Sequence, residues 1–209
     1  KAADQGLTEA QAKLKELEAQ IKKNTNPLLI IDKDGTLTGL TDKTKLKGKL
    51  ILPAEVKKIG KDVFKHCTDL TEIDFSACTN LTEIDEMAFY GCTGLTEVRL
   101  PASLTKIGRW AFNGCTGLTK VDFPASLTEI GGWAFYGCTG LAEVRLPASL
   151  TEIGYGAFES CTGLTEVRLP ASLTEIGYGA FAACRNLHTL TIVPENTSYY
   201  SKDNVIYTK

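Results

Sequence analysis

The chain has 209 residues, 43% of them hydrophobic, and a formal net charge of −2. That supports one real core with at most a small appendage, and so neutral a balance gives no electrostatic footprint for nucleic acid. No apolar run approaches the roughly 18 residues of a membrane-spanning helix, so a membrane is expected only through an anchor or signal segment removed ahead of Lys1, which is not an initiator methionine.

Residues 1–26 differ in kind from the rest. Leu7, Ala10, Leu14, Leu17 and Ile21 recur at three and four residue spacing, Thr8 and Gln11 form a capping box, and Glu9 with Lys13 and Glu18 with Lys22 are i,i+4 pairs. The pattern predicts an amphipathic helix, ended by the linker "NTNP" at residues 24–27. About two heptads are marginal alone. The stripe is expected to pack on the first turn of the following domain, to pair with another chain, or to act as a tether.

Residues 28–37, "LLIIDKDGTL", resemble the first motif of the haloacid dehalogenase superfamily, a strand followed by D-x-D-G-T. That resemblance implies a nucleophile at Asp32 and a proton shuttle at Asp34. The competing reading is a hairpin turn: K-D-G here and K-D-N within "SKDNVIY" at 201–207 both sit between β-formers, and Gly and Asn tolerate positive φ. Everything downstream is repeat, with no room for the further motifs a phosphatase domain needs, so the turn is expected and an enzyme is not. Hairpin caps are assigned to 27–49 and 193–209.

Between them, over 50–192, the chain repeats. Cys92, Cys115, Cys138, Cys161 and Cys184 recur every 23 residues, and Phe64, Phe89, Phe112, Phe135, Phe158 and Phe181 mark six copies. A fixed period of this size signals a solenoid. In each copy an alternating run such as Val98 and Leu100 predicts a half-buried strand ended by Pro101, "SLTKIG" predicts a second short strand, and "AFNGCTG" a helical turn or tight loop. "FSACTNL" carries two more residues than "LPASL", so one turn should bulge.

The phrase C-T-x-L-x-x-V-x-L-P-x-S-L-x-x-I-G-x-x-A-F, legible from Cys92 to Phe112, resembles the BspA-like leucine-rich repeats in their treponemal 23-residue form. The resemblance implies a leucine-rich repeat solenoid with a parallel sheet on its concave face. It further implies an extracytoplasmic protein, in periplasm or at the cell surface, that binds or adheres to host, matrix or envelope proteins. It fixes no binding residues, because the constant positions of the motif are core.

Candidate residues come from the exposed columns instead. The residues flanking the central apolar one of each L-x-x-V-x-L strand form two columns: Lys49, Glu72, Glu97, Lys120, Glu143, Glu166, Thr189, and Ile51, Asp74, Arg99, Asp122, Arg145, Arg168, Thr191. Glu97 should face Lys120 and Lys120 face Glu143, while Asp74, Arg99, Asp122 and Arg145 alternate, so much of the face should neutralise itself. The alternation breaks where Glu143 meets Glu166 and Arg145 meets Arg168, which makes these four the candidates for a protein partner, the arginines first. Glu129, Glu152 and Glu175 stack as a stripe that reads as solvated rather than as a calcium site. Trp110 and Trp133 share one column, with Tyr155 and Tyr178 in the column beside it. They are either mutual filler or an exposed patch for a partner.

No cofactor or metal is expected. The seven cysteines contain no C-x-x-C, and His66 and His188 occupy different repeat positions. Stacked cysteines read as buried hydrophobes with weak S–H donors, and the irregular Cys78 is the one considered for a disulfide. A monomer is expected, with self-association through the N-terminal helix, the ends or the aromatic flank as the alternative.

Overall fold

Two strands, β1 (Leu29–Ile31) and β2 (Thr36–Leu40), come first and form an antiparallel hairpin. The computed structural model describes Gln11, Lys13, residues 26–203 and residues 205–209. The apolar positions of the expected N-terminal helix lie outside these. In the hairpin, one carboxylate oxygen of Asp32 accepts the N–H groups of Asp34 and Thr36, each at 2.9 Å, and Gly35 follows at φ 86°. The Thr36 and Asp34 N–H groups hold the Asp32 carboxyl below its ordinary range. D-x-D-G-T thus forms an Asx turn, with one Asp32 oxygen accepting both backbone donors.

From there the chain coils, laying down one strand of each of two sheets per turn. The first sheet receives two-residue strands: β4 (Lys58–Ile59), β6 (Glu83–Ile84), β8 (Lys106–Ile107), β10 (Glu129–Ile130), β12 (Glu152–Ile153) and β14 (Glu175–Ile176). All pair in parallel, and β2 joins β4, so the hairpin closes the N-terminal edge of an eight-stranded sheet. The second receives β3 (Gly48–Ile51), β5 (Leu70–Asp74), β7 (Glu97–Arg99), β9 (Lys120–Asp122), β11 (Glu143–Arg145), β13 (Glu166–Leu169) and β15 (Thr189–Ile192).

This second sheet, expected as one surface, is two: β3-β5-β7-β9 and β11-β13-β15, with no ladder between β9 and β11. The residues suggest why. Thr96 and Thr119 each donate N–H and hydroxyl to the carbonyl one repeat earlier, on Thr71 and Thr96. The next position is Ala142, without a hydroxyl, and the ladder resumes only when Thr165 donates to the Ala142 carbonyl.

The core lies between the sheets as columns of like residues. Rings of Phe64, Phe89, Phe112, Phe135, Phe158 and Phe181 stack with centroids 4.9 to 5.4 Å apart, and the first five are wholly buried. Each such ring contributes about 1.5–3 kcal/mol by burial. Beside them the thiols of Cys92, Cys115, Cys138, Cys161 and Cys184 donate to Phe carbonyls of the previous turn at 3.0 to 3.2 Å, the ladder expected of them. Burial pushes these thiols up, Cys115 to about 12, so they remain neutral donors. In the bulged turn Cys78 points inward at the Pro53 carbonyl, 3.4 Å away, and is a free thiol.

The C-terminal end is closed by side chains rather than by a strand. Ser103, Ser126, Ser149 and Ser172 each bond a carbonyl of the preceding turn, and buried Asn196 takes that role at the end, its amide meeting Pro170, Ala171 and Leu173 carbonyls at 2.9 to 3.2 Å. The hairpin β16 (Tyr199–Lys202) and β17 (Val205–Thr208) then rests on the open edges: the Tyr199 hydroxyl meets Ile176 N and Thr174 O, and the Ser201 hydroxyl meets Ile192 N. Covered edges were expected at both ends; the means differ.

Candidate functional site

Alternation along the second-sheet strands buries Val98, Val121, Val144 and Val167 and turns their neighbours outward. Strand register places Glu143 beside Glu166 and Arg145 beside Arg168, so the four candidates come together on one exposed face. The Arg145 Nε meets the Glu143 carboxylate at 2.6 Å, but no ion pair or side-chain hydrogen bond engages Arg168, Glu166 or Glu195 among the described residues. These side chains edge a groove of about 560 Å³ whose apolar wall is Val144, Leu146, Leu169, Pro170 and Val193. Neighbouring parallel strands lie about 4.8 Å apart, so the two guanidinium groups project from adjacent strands with like charge and an apolar surface at hand.

The N-terminal piece of the face is finished differently. Lys49 bridges Glu72 at 2.8 Å and Asp74 at 3.1 Å, Lys120 meets Asp122 at 3.1 Å, and Arg99 reaches Asp122 at 3.8 Å. Glu97 faces Lys120 in register as expected, although the lysine turns along its own strand to Asp122, while the expected pairing of Lys120 with Glu143 falls where no ladder joins β9 to β11. A further like-charged step, Glu72 beside Glu97, was not foreseen; Lys49 offsets it. The Ser76 hydroxyl and N–H, with the Lys49 ammonium, hold the Asp74 carboxyl down to about 2.

The aromatic residues form one ladder, not two columns. Trp110 stacks on Trp133 at 5.4 Å, Trp133 meets Tyr155 at 4.6 Å, and Tyr155 meets Tyr178 at 5.9 Å. A one-residue slip makes this so. Trp110 and Trp133 sit at φ 55° and 52°, a left-handed conformation that costs a bulky residue about 1–2 kcal/mol. In the next two turns Gly156 and Gly179 take that position and the ring moves one residue back. Arg109, overlooked in the sequence, lies over Trp110 at 4.5 Å and Trp133 at 5.5 Å. The column Arg109, Gly132, Tyr155, Tyr178 was the signal that could have found it.

Among the described residues no group of three or more His, Cys, Asp or Glu converges to hold a metal. His66 is edge-on to Tyr90, and His188 contacts the Thr189 hydroxyl at 3.2 Å, far along the coil.

The repeat unit is that of the BspA type leucine-rich repeat region, which matches in six copies over residues 42–138 and 82–203. The chain belongs to that family. Among solved structures, this BspA-type chain is similar to the T. pallidum leucine-rich repeat protein TpLRR at 34% identity and TM-score 0.59, over 81% of this chain and 69% of that one. A leucine-rich cell surface protein of Faecalibacterium prausnitzii matches at 29% identity and TM-score 0.60, over 88% of this chain and 57% of that one. The pneumococcal vaccine antigen PcpA matches at 26% identity and TM-score 0.53, over 84% and 38%. The BspA-type chain thus spans less than two thirds of the last two. No curated protein matches it.

Proposed function

We propose that this BspA-type protein is a non-enzymatic, extracytoplasmic protein-binding module that holds its partner in the groove beside Arg145 and Arg168. The observation behind this reading is the coincidence of three features on one exposed patch: in-register arginines, an apolar wall, and, among the described residues, no ion partner for Arg168, Glu166 or Glu195. Arginine keeps its charge and offers a planar fork to carboxylates, and a desolvated apolar pocket beside it is the usual anatomy of a binding hot spot. The cell-surface protein and the vaccine antigen among the similar structures favour an extracytoplasmic site of action.

The test is binding of the folded protein to a panel of host matrix and bacterial envelope proteins, alongside the Arg145→Glu, Arg168→Glu double variant. Saturable binding by the parent, weakened at least tenfold in the variant, is expected for a pair of this kind. Equal binding by parent and variant would remove the groove from the reading. No binding across the panel, with mass rising with concentration, would point to assembly instead.

A further inference from the structure

The first sheet has a charged column of its own, half-buried along most of its length and exposed at Glu175. It reads Lys58, Glu83, Lys106, Glu129, Glu152, Glu175, each beside the next in register. Lys58 meets Glu83 at 3.1 Å and Lys106 meets Glu129 at 2.8 Å, so the column is neutralised as far as Glu129. Among the described residues no lysine or arginine bridges Glu152 or Glu175. The Glu152 carboxyl is raised by its burial and by the charges of Glu129 and Glu175 on either side.

Three residues along the chain from Lys106, Glu129, Glu152 and Glu175 lie Arg109, Gly132, Tyr155 and Tyr178. Three extended residues span at most about 10 Å, so the column and the aromatic ladder run side by side. The ladder is closed at its N-terminal end by the Arg109 guanidinium. At the other end Tyr178 is 83% exposed and Tyr155 45% exposed, with no cation over either ring among the described residues. Both stripes therefore show what they take: where the chain supplies a lysine and an arginine, one sits on the carboxylates and the other on the rings. Where it supplies neither, carboxylates and ring faces are left open.

We propose that the Glu152, Glu175, Tyr155 and Tyr178 surface docks a basic, extended segment of a partner protein, its arginine or lysine side chains repeating the placement of Lys106 and Arg109. Charge complementarity and the internal template both fit such a segment. A cation over an aromatic ring gains about 0.5–2 kcal/mol depending on solvation. Adjacent strands offer successive carboxylates at the spacing of the sheet. This site is separate from the groove beside Arg145 and Arg168 and stands without it.

Trp110 and Trp133 are the two tryptophans of the chain, so their fluorescence reports on the ladder directly. The experiment titrates the full chain with a short peptide alternating arginine with serine, followed by tryptophan fluorescence and by calorimetry. Its counterpart has glutamate in place of arginine. Saturable binding of the basic peptide alone is expected, weakened about tenfold in Tyr178→Ala, an exposed position whose truncation leaves the core intact. Glu152→Gln with Glu175→Gln should weaken it as well, and Arg168→Glu should leave it in place. Binding that survives both Tyr178→Ala and the double glutamine variant, or equal binding of the acidic peptide, overturns the proposal. So does the absence of any binding by the basic peptide.

Discussion

In the N-terminal half of the solenoid the exposed charges find partners: Lys49 with Glu72 and Asp74, Lys58 with Glu83 and Asp85, Lys61 with Glu86, Lys106 with Glu129. In the C-terminal half the same positions hold Arg145 beside Arg168 on one sheet and Glu152 beside Glu175 on the other, and among the described residues most of them have no counter-ion. The interior does not distinguish the halves. Phenylalanine, cysteine and leucine columns run through both. Packing fixes the inward residues of every turn, while exposed ion pairs are worth little to stability. The difference therefore lies where folding leaves the sequence free, and that is where a partner can be recognised.

The most severe way to break the comparison is to attack what the halves share. Phe135 is wholly buried, stacked 5.2 Å from both Phe112 and Phe158, with Phe123 edge-on at 5.6 Å. It also lies at the level where the second sheet divides. Phe135→Ala should cost about 3–5 kcal/mol. If the halves form one cooperative unit, denaturant melts followed by tryptophan fluorescence and by circular dichroism should shift together. Two separated transitions would show that the division of the sheet divides the solenoid.

A smaller effect separates the paired half from the unpaired one. The Asp74 carboxyl is held down to about 2 by Ser76 and Lys49, below the ordinary aspartate value of 3.8. Its folded pKa is depressed, so its contribution to stability is complete above the unfolded value and is lost as pH falls through 3.8 towards 2. The group is partly exposed, and solvent screening keeps the effect to about 1 kcal/mol or less. Asp74→Asn should flatten the stability curve in that window, as read by urea midpoints across pH. An unchanged slope would mean that the Lys49 bridge does not persist in solution.

Much of this was legible in advance because a 23-residue period writes the core as columns. Inward and outward positions, the cysteine ladder, the hairpin turns and the like-charged step at Arg145 and Arg168 follow from register alone. Choice of ion partner did not. Lys120 has Glu97 across the strand and Asp122 two residues along, at comparable reach for a long flexible side chain, and periodicity cannot rank them. The single aromatic ladder was hidden for a different reason. A side chain moved one residue back, from Trp133 to Tyr155, leaves its column in the sequence yet keeps its place in space, because the glycine that replaces it accepts the left-handed backbone. The groove was half legible: its charged edge lay in the columns, but its wall joins Leu146 and Leu169, core positions of the repeat, to Val193, assigned to the C-terminal cap.

The smallest expected effect bears on the boundary itself. Thr119 donates its hydroxyl to Thr96 at 3.1 Å and Thr165 donates to Ala142 at 3.4 Å, so Ala142 is the one position between them where the hydroxyl ladder lapses, beside the break between β9 and β11. Threonine there would find the Thr119 carbonyl as Thr119 finds that of Thr96, and its β-branch suits a strand. Ala142→Thr should therefore stabilise the protein by about 0.5–1 kcal/mol. It should also raise the protection of amide hydrogens over residues 142–146, measured by exchange. If protection stays as it was, the missing hydroxyl is not what divides the sheet. If protection rises and partner binding at the neighbouring groove falls, then the looseness of β11 belongs to recognition: a strand tied on one side only can adjust Arg145 to what docks there, and tying the other side removes that freedom.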